Sequence, residues 1–413
     1  MLYQTHELQK AWLTNASMWA SLSAELLQAP GPLEYMGGPV IGSALEVFAH
    51  AAAPRGKPAF GFETTTVDGR EVAVSEDIVL RLPFGQLKRF VRAGVEGSPK
   101  LLIVAPMSGH YATLLRGTVE RMLPKHDVYI TDWRDAKLVP ISQGRFDLDD
   151  YIDYVVQFLE HLNADGRRAH VLAVCQPSVP VYAATALMAS ANNPARPKTL
   201  TMMGGPVDTR EAPTSVNDLA TERPHAWFQN VIATVPGNYE GAGRRVYPGF
   251  LQLAGFMSMN LSNHMESHYQ MFRHLMAGND GPADLTKKFY EEYRSVCDMT
   301  AEFYLQTIET VFQTHALPKG EMVHRGTRVD PRAIHDTAIL AIEGEMDDIS
   351  GLGQTKAALT ISSGLPDIMK RYFMAPEVGH YGIFNGSKWR NTIAPVVEDW
   401  IASHHSVEAG QTG

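Results

Sequence analysis

The stretch Ala169-His170-Val171-Leu172-Ala173-Val174-Cys175-Gln176-Pro177-Ser178-Val179-Pro180 decides the fold. His170 to Val174 is a short apolar run with the aliphatic and β-branched content of a buried strand. After Pro177 an Ala-rich helical pattern continues to about Ala191. A proline is tolerated there because the N–H groups of a helix's first turn have no partner within the helix. Cys175 thus falls on the corner where strand becomes helix. Such a corner lifts a side chain clear of the sheet and aims backbone N–H groups of the following helix at it. A cysteine closing a strand is by default inert packing, so its reading depends on the rest of the chain.

Outward from this corner, strands and helices alternate. On the N-terminal side, Leu101–Pro106 and Val128–Asp132 read as short strands and Ala112–Leu123 as a helix. Leu148–Leu162 is an amphipathic helix opening on acidic residues, as the helix dipole favours. Earlier still, Phe60–Thr66 and Glu71–Val79 flank Asp68-Gly69, a favoured hairpin turn. On the C-terminal side, Thr199–Gly204 is a strand leading into Gly205-Pro206. The rhythm then stops: Val207 to about Pro331 has helical pattern, dense in Met, aromatics and His, and no convincing buried strand. It resumes with a strand over Thr337–Glu343, a helix near Gln354–Ser362, a strand over Arg371–Ala375 and a helix over Trp389–His404.

This order predicts an α/β fold whose mostly parallel sheet is flanked by helices. A helical cap is inserted after the sixth strand, over the strand ends where ligands bind in such sheets. The expected divisions are an N-terminal helical segment packed on the core (1–57), the first part of the core (58–206), the cap (207–331), the second part of the core (332–405) and a flexible tail (406–413). In the first of these, Leu8, Trp12, Leu13, Met18, Trp19, Leu22 and Leu26 recur at helical spacing. They predict an amphipathic helix packed on its own domain, the alternative being a helix lying on a hydrophobic surface. The Gly/Pro-rich stretch Ala29–Gly42 breaks that pattern.

Composition narrows the function classes. The chain has 413 residues, 45% of them apolar and 20% charged, which is the make-up of a folded domain with a large core. With 36 basic against 45 acidic side chains the net charge is −9, which argues against nucleic acid as a partner. Two cysteines far apart make no disulfide framework and fit a reducing compartment. No apolar run is long enough to span a bilayer, and the N-terminus lacks the layout of a secretory signal, so a cytoplasmic location is expected. No histidine pair at zinc-ligand spacing has a suitable third ligand, and no glycine loop cradles phosphate, so no metal or cofactor is expected. The oligomeric state stays open.

A nucleophile needs a base, and the base needs a partner that holds its tautomer. In α/β-hydrolases the nucleophile sits on a strand-to-helix elbow, and the chain order is nucleophile, acid, histidine. The first strand after the cap runs into Gly344-Glu345-Met346-Asp347-Asp348, and the next into Pro376-Glu377-Val378-Gly379-His380-Tyr381-Gly382. Cys175, Asp347 and His380 therefore stand in the required order. Asp348 competes with Asp347, whose spacing from Gly344 is favoured. Among sixteen histidines, His380 stands out because glycines at 379 and 382 let backbone approach closely. The elbow sequence Ala173-Val174-Cys175-Gln176-Pro177 is a degenerate form of the usual glycine-flanked one.

Two backbone donors should complete the site as an oxyanion hole: the N–H of Gln176, and that of Met107 in the loop Ala105-Pro106-Met107-Ser108-Gly109-His110, with Ser108 as second choice. Cys297 is expected to be a packing residue in a helical cap segment. Ser178 is expected to be a capping hydroxyl or a pocket wall.

With these residues in hand, the chain resembles, nearly end to end, the intracellular poly(3-hydroxybutyrate) depolymerases of bacteria. The likeness is carried by Met1-Leu2-Tyr3-Gln4, His6-Glu7-Leu8, the loop from Ala105 to Tyr111, Tyr129-Ile130-Thr131-Asp132-Trp133, the Cys175 elbow, Met203-Gly204-Gly205-Pro206-Val207-Asp208 and Val378-Gly379-His380-Tyr381-Gly382. The resemblance implies a cysteine nucleophile in place of serine, with the family's Cys, Asp and His on Cys175, Asp347 and His380. It implies ester hydrolysis on amorphous polymer at intracellular granules, releasing 3-hydroxybutyrate or its oligomers. The related polyhydroxyalkanoate synthases use the same triad on this fold. Polymer synthesis or CoA-dependent thiolysis is therefore the alternative within enzymes. Outside them it is a non-catalytic granule-surface protein binding polymer through Trp12, Trp19 and the cap.

Overall fold

A computed structural model describes residues 2–29, 37–259 and 261–405. The tail expected over 406–413, and residues 30–36 of the Gly/Pro-rich stretch, lie outside the described residues. Among the described residues nine strands share one sheet: β1 Thr64–Val67, β2 Arg70–Leu82, β3 Gly85–Arg92, β4 Lys100–Val104, β5 Asp127–Trp133, β6 His170–Val174, β7 Thr199–Met203, β8 Ala338–Gly344 and β9 Lys370–Ala375. Their spatial order is β1-β2-β3-β5-β4-β6-β7-β8-β9. The pairs joining β1, β2, β3 and β5 are antiparallel, and every pair from β5–β4 to β8–β9 is parallel.

The parallel centre explains the continuous apolar runs. β4, β6, β7 and β8 are buried at every position, as strands covered on both faces must be. At the edge, Asp68 and Gly69 both hold positive φ, 49° and 78°, the geometry that matches a two-residue hairpin to strand twist. The sequence reading does not anticipate β3, because Lys88, Arg89 and Arg92 interrupt its apolar pattern. Leu87 and Phe90 are nevertheless fully buried, and Gly85 lies flat against the Trp133 ring, where a Cβ would stand 2.7 Å from Cε3.

Helices follow the same logic. In chain order they begin with α1 Leu2–Gln28 and α2 Gly38–Ala52, then α3 Leu148–Leu162 and α4 Ser178–Ser190. Asp147 opens α3 through a reciprocal capping box with Asp150, which satisfies N–H groups that the first turn cannot. The sequence reading does not anticipate α2, whose Gly38, Pro39 and Gly42 look like breakers. Pro39 sits in the first turn. Gly42 is the contact with α1, since a Cβ there would stand 2.7 Å from Gln28 Cγ and 3.3 Å from the Ala24 carbonyl.

The chain leaves the sheet after β7, the sixth strand of the sequence reading and, with the unanticipated β3 counted, the seventh of the sheet. It builds a cap and returns at β8. The cap contains α5 Ser215–Glu222, α6 Gly249–Met259, α7 Leu261–Met276, α8 Asp280–Tyr293 and α9 Ala301–Thr307, whose end widens into a π turn over Ile308–Gln313. It also holds a small antiparallel sheet of Ala233–Thr234, Arg245–Tyr247 and Met299–Thr300 with Val246 fully buried, against the expectation of no buried strand. Strands of two or three residues are too short to show a period. α10, Ala394–His405, closes the fold. Strand order, cap position and crossover helices make this an α/β-hydrolase fold.

Candidate active site

The corner after β6 is strained where the sequence reading expects it. Cys175 holds φ at +67°, a left-handed conformation that costs a side-chain-bearing residue on the order of 1–2 kcal/mol and is held only where surroundings over-determine it. The surroundings are clear. The Cys175 N–H donates to the Met203 carbonyl at 2.7 Å, and the Ser178 N–H donates to the Cys175 carbonyl at 3.0 Å. Behind the corner, Gly205 leaves room for α4: a Cβ there would stand 2.0 Å from Ser178 Oγ and 3.0 Å from the Cys175 carbonyl. Ser178 is fully buried and its hydroxyl has no partner among the described residues. It caps no N–H and is not in the pocket wall, so the expectation for it is corrected: it is a close-packed contact behind the elbow.

Asp347 and His380 come together from the ends of β8 and β9. Gly344 lets the two loops cross, a Cβ there falling 2.4 Å from the Val378 carbonyl, and the Met346 N–H donates to that carbonyl at 2.9 Å. His380 Nδ1 donates to Asp347 Oδ2 at 2.8 Å, with both side chains removed from solvent. The carboxylate's other oxygen accepts from the N–H groups of Ile349 and Ser350 at 2.9 and 2.8 Å. Asp347 is thus fully satisfied, while Asp348 points its residue surface to solvent. With Nδ1 committed to Asp347, Nε2 is the ring atom left to face the thiol. Burial alone would push the imidazole's pKa down. The charges of Cys175 and Asp347, and the hydrogen bond to Asp347, outweigh it and hold the ring well above its ordinary 6.5.

Two supporting groups were not signalled by any motif. Glu343, at the buried end of β8, accepts from the N–H groups of Gly353, Thr355 and Lys356 and from the Tyr372 hydroxyl, at 2.7–2.9 Å, and so shapes the loop that carries Asp347. Gly204, at φ +58°, packs on the acid–base pair: a Cβ there would stand 3.2 Å from Asp347 Oδ2 and 3.3 Å from His380 Cε1. The glycine pair after β7 was legible as a turn, but its role as the floor under this pair needed coordinates.

The oxyanion side is organised differently from expectation. The Met107 N–H donates to Gln176 Oε1 at 3.1 Å, so the side chain after the nucleophile sits on the expected donor. Gln176 Nε2 is buried with no partner among the described residues. The Met107 loop is pinned to the cap: the Cys297 N–H donates to the Gly109 carbonyl at 2.8 Å, His110 Nε2 donates to the Tyr293 carbonyl at 2.9 Å, and His110 bridges Val296. Cys297 is a buried packing residue, as expected, but it lies in extended chain rather than helix, its thiol donating to the His110 carbonyl. Burial first, then Asp135 and Asp298, push that thiol's pKa up, which keeps it protonated.

Cys175, Gln176, Met107 and His380 open onto one cavity of about 510 Å³. Its walls are mostly cap side chains, among them Leu219, Phe228, Phe256, Phe303, Tyr304 and Phe312. Among the described residues no group of three or more His, Cys, Asp or Glu is placed to hold a metal ion, and no helix is long and apolar enough to cross a membrane. A strained thiol, a histidine paired to a buried carboxylate and an apolar chamber can together perform acyl transfer on an apolar ester.

Residues 204–405 match the family model for the PHB de-polymerase C-terminus. No curated protein sequence matches the chain. Similar solved structures include a thermophilic esterase from Thermogutta terrifontis, 14% identical over 84% of this chain and 98% of that one, with a TM-score of 0.43. Naproxen esterase from Bacillus subtilis is 14% identical over 80% of this chain and 92% of that one, with a TM-score of 0.44. A 2-hydroxy-6-oxo-6-phenylhexa-2,4-dienoate hydrolase from Rhodococcus sp. strain RHA1 is 11% identical over 80% of this chain and 99% of that one, with a TM-score of 0.41. Over residues 204–405, just under half of its length, the chain is similar to the PHB de-polymerase C-terminus, and it is a carboxylic ester hydrolase.

Proposed function

We propose that the protein hydrolyses poly(3-hydroxybutyrate) through a Cys175–His380–Asp347 triad at the surface of intracellular polymer granules. The observation that carries this reading is the left-handed thiol at the base of an apolar chamber, beside a histidine tied to a buried carboxylate. His380, oriented by Asp347, takes the Cys175 proton. The sulfur attacks a polymer ester carbonyl, and the N–H groups of Gln176 and Met107 receive the oxyanion. In this reading the substrate oxygen displaces Gln176 Oε1 from Met107. Collapse of the tetrahedral adduct breaks the C–O bond; the alcohol end leaves with the proton from His380, and a thioester remains on Cys175. In the thioester the sulfur no longer carries charge, so one of the two anions raising the His380 pKa is gone. The ring is then able to take a proton from water. The resulting hydroxide attacks the thioester carbonyl and frees the acid, a 3-hydroxybutyrate monomer or oligomer, returning the proton to sulfur.

The test is direct. Reduced protein is mixed with amorphous poly(3-hydroxybutyrate) particles, with and without CoA, and soluble 3-hydroxybutyrate is measured. Release without CoA is expected. Release only with CoA makes thiolysis the reaction, incorporation of hydroxybutyryl-CoA into polymer makes it a synthase, and binding without release leaves only a granule-surface protein.

A further inference from the structure

The N-terminal helix packs by the wrong face for a helix that merely covers its own domain. Beyond Tyr3, its buried positions are small, Ser17 and Ala20 at 6% exposure and Ala24 at 3%, and Gly42 of α2 sits against the Ala24 carbonyl. Its bulky apolar side chains stand outward instead: Leu8 74%, Trp12 67%, Trp19 66%, Leu22 52% and Leu26 68% exposed. These five recur at intervals of 4, 7, 3 and 4 residues, so they form one stripe down the helix. Val40, Ile41 and Phe48 of α2, and Leu261, Met265 and Tyr269 of α7, are exposed as well; α2 packs on both α1 and α7. A contiguous apolar patch rimmed by polar residues marks an interaction site.

Two observations choose the partner. The 27-residue helix carries three charged side chains, Glu7, Lys10 and Glu25, in a protein of net charge −9. Helices that dock on anionic membranes carry clustered Lys and Arg, so this face suits a neutral apolar surface. The opposite, packed face ties the helix to the cap: His6 stacks on Phe250 at 3.8 Å and buried Tyr3 meets the same ring edge-on at 5.8 Å, which leaves the stripe facing away from the domain. Phe250 belongs to α6, whose Gln252 and Phe256 line the cavity. We infer that the α1 stripe is the docking surface by which the protein settles on solid, uncharged polyester, with the helix's other face anchored to the cap element that lines the chamber. This rests on the polyester reading given above.

The test compares the wild type with a Leu8→Gln/Trp12→Gln/Trp19→Gln/Leu22→Gln/Leu26→Gln variant, glutamine being a good helix former. Co-sedimentation with amorphous poly(3-hydroxybutyrate) particles should fall by about tenfold or more, unchanged between low and high salt. Turnover of soluble p-nitrophenyl butyrate should stay within about twofold, which shows that the variant is folded. Particle binding that survives in the variant overturns the inference. So does a wild type that prefers anionic phosphatidylglycerol vesicles to polyester, or a variant that merely converts a dimer to a monomer while still binding particles. A wild type that binds particles through this stripe yet frees no 3-hydroxybutyrate supports the surface and removes the depolymerase reading, so the two fail separately.

Discussion

At the scale of single residues, the proposed mechanism depends on one sulfur and on what keeps its neighbours still. Cys175→Ala should lower ester turnover by on the order of a thousandfold or more while leaving the fold intact, because the proposed acyl carrier is its sulfur and Cys297 is not among the residues lining the chamber. A Cys175→Ala protein with ordinary initial rates would remove the mechanism. Asp347→Asn should be nearly as damaging: the amide cannot hold both the His380 Nδ1 proton and the Ile349 and Ser350 N–H groups as acceptor. Gly204→Ala separates positioning from chemistry. Its methyl would crowd Asp347 Oδ2 and His380 Cε1 from beneath, so kcat on a soluble ester should drop by roughly tenfold with a smaller change in KM. Equal kcat in the variant would show that the pair tolerates displacement.

At the scale of elements, the elbow is a joint between β6, β7 and α4. Gly205→Ala should destabilise the protein by roughly 2–3 kcal/mol, since its Cβ has nowhere to go against Ser178 and the Cys175 carbonyl. Adding Ser178→Gly should recover part of that loss, and a double-mutant cycle by chemical denaturation reads the coupling. Simple additivity would mean that the two residues do not meet. These elements also show what a sequence reveals. Leu148–Leu162, with its apolar stripe and acidic start, and the all-apolar strands β4, β6, β7 and β8 carry their period openly, so their sheet and its crossovers are readable. β3 and α2 are hidden because charged stems and glycines do their packing. The loops bearing Cys175, Asp347 and His380 were locatable because chain order and flanking glycines constrain them. The seat of Gln176 on Met107, the shaping of the acid loop by Glu343 and the outward stripe of α1 were not, since each depends on which neighbour lies across the fold.

For the molecule as a whole, acidity should act through histidines that have no part in catalysis. Burial pushes His110 and His126 down to about 4 and His170 to about 3. In the unfolded chain each protonates near 6.5, so the stability that each neutral ring contributes is complete above that pH and is lost as pH falls toward 4 or 3. At ~1.4 kcal/mol per pKa unit, the full loss is about 3.5 kcal/mol for His110 or His126 and about 5 kcal/mol for His170. Asp298 works in the opposite sense: burial, then the charge of Asp135, raise its carboxyl to about 6, so the folded protein takes up that proton first. With His50, also pushed down to about 4 by burial, the lowered histidines outnumber the raised Asp298 and His380, so a net loss of several kcal/mol in unfolding free energy is expected between pH 7.5 and 4.5, measured by denaturant titration. His170→Gln should flatten the curve by about one proton's share. A level profile over that range would refute the account.

The two thiols differ in a way that reaches beyond catalysis. Cys175 opens on the chamber, whereas Cys297 is shut behind the Met107 loop with its hydrogen given to a carbonyl. A peroxide that converts the first to a sulfenic acid therefore finds no second thiol positioned to trap it as a disulfide, and rescue falls to small external reductants. Preparations kept in air should fade in stages: at first recoverable with dithiothreitol, later beyond repair once the sulfinic form accumulates. A serine in the same seat would carry no such vulnerability, so the redox state of the surroundings becomes a brake on this enzyme.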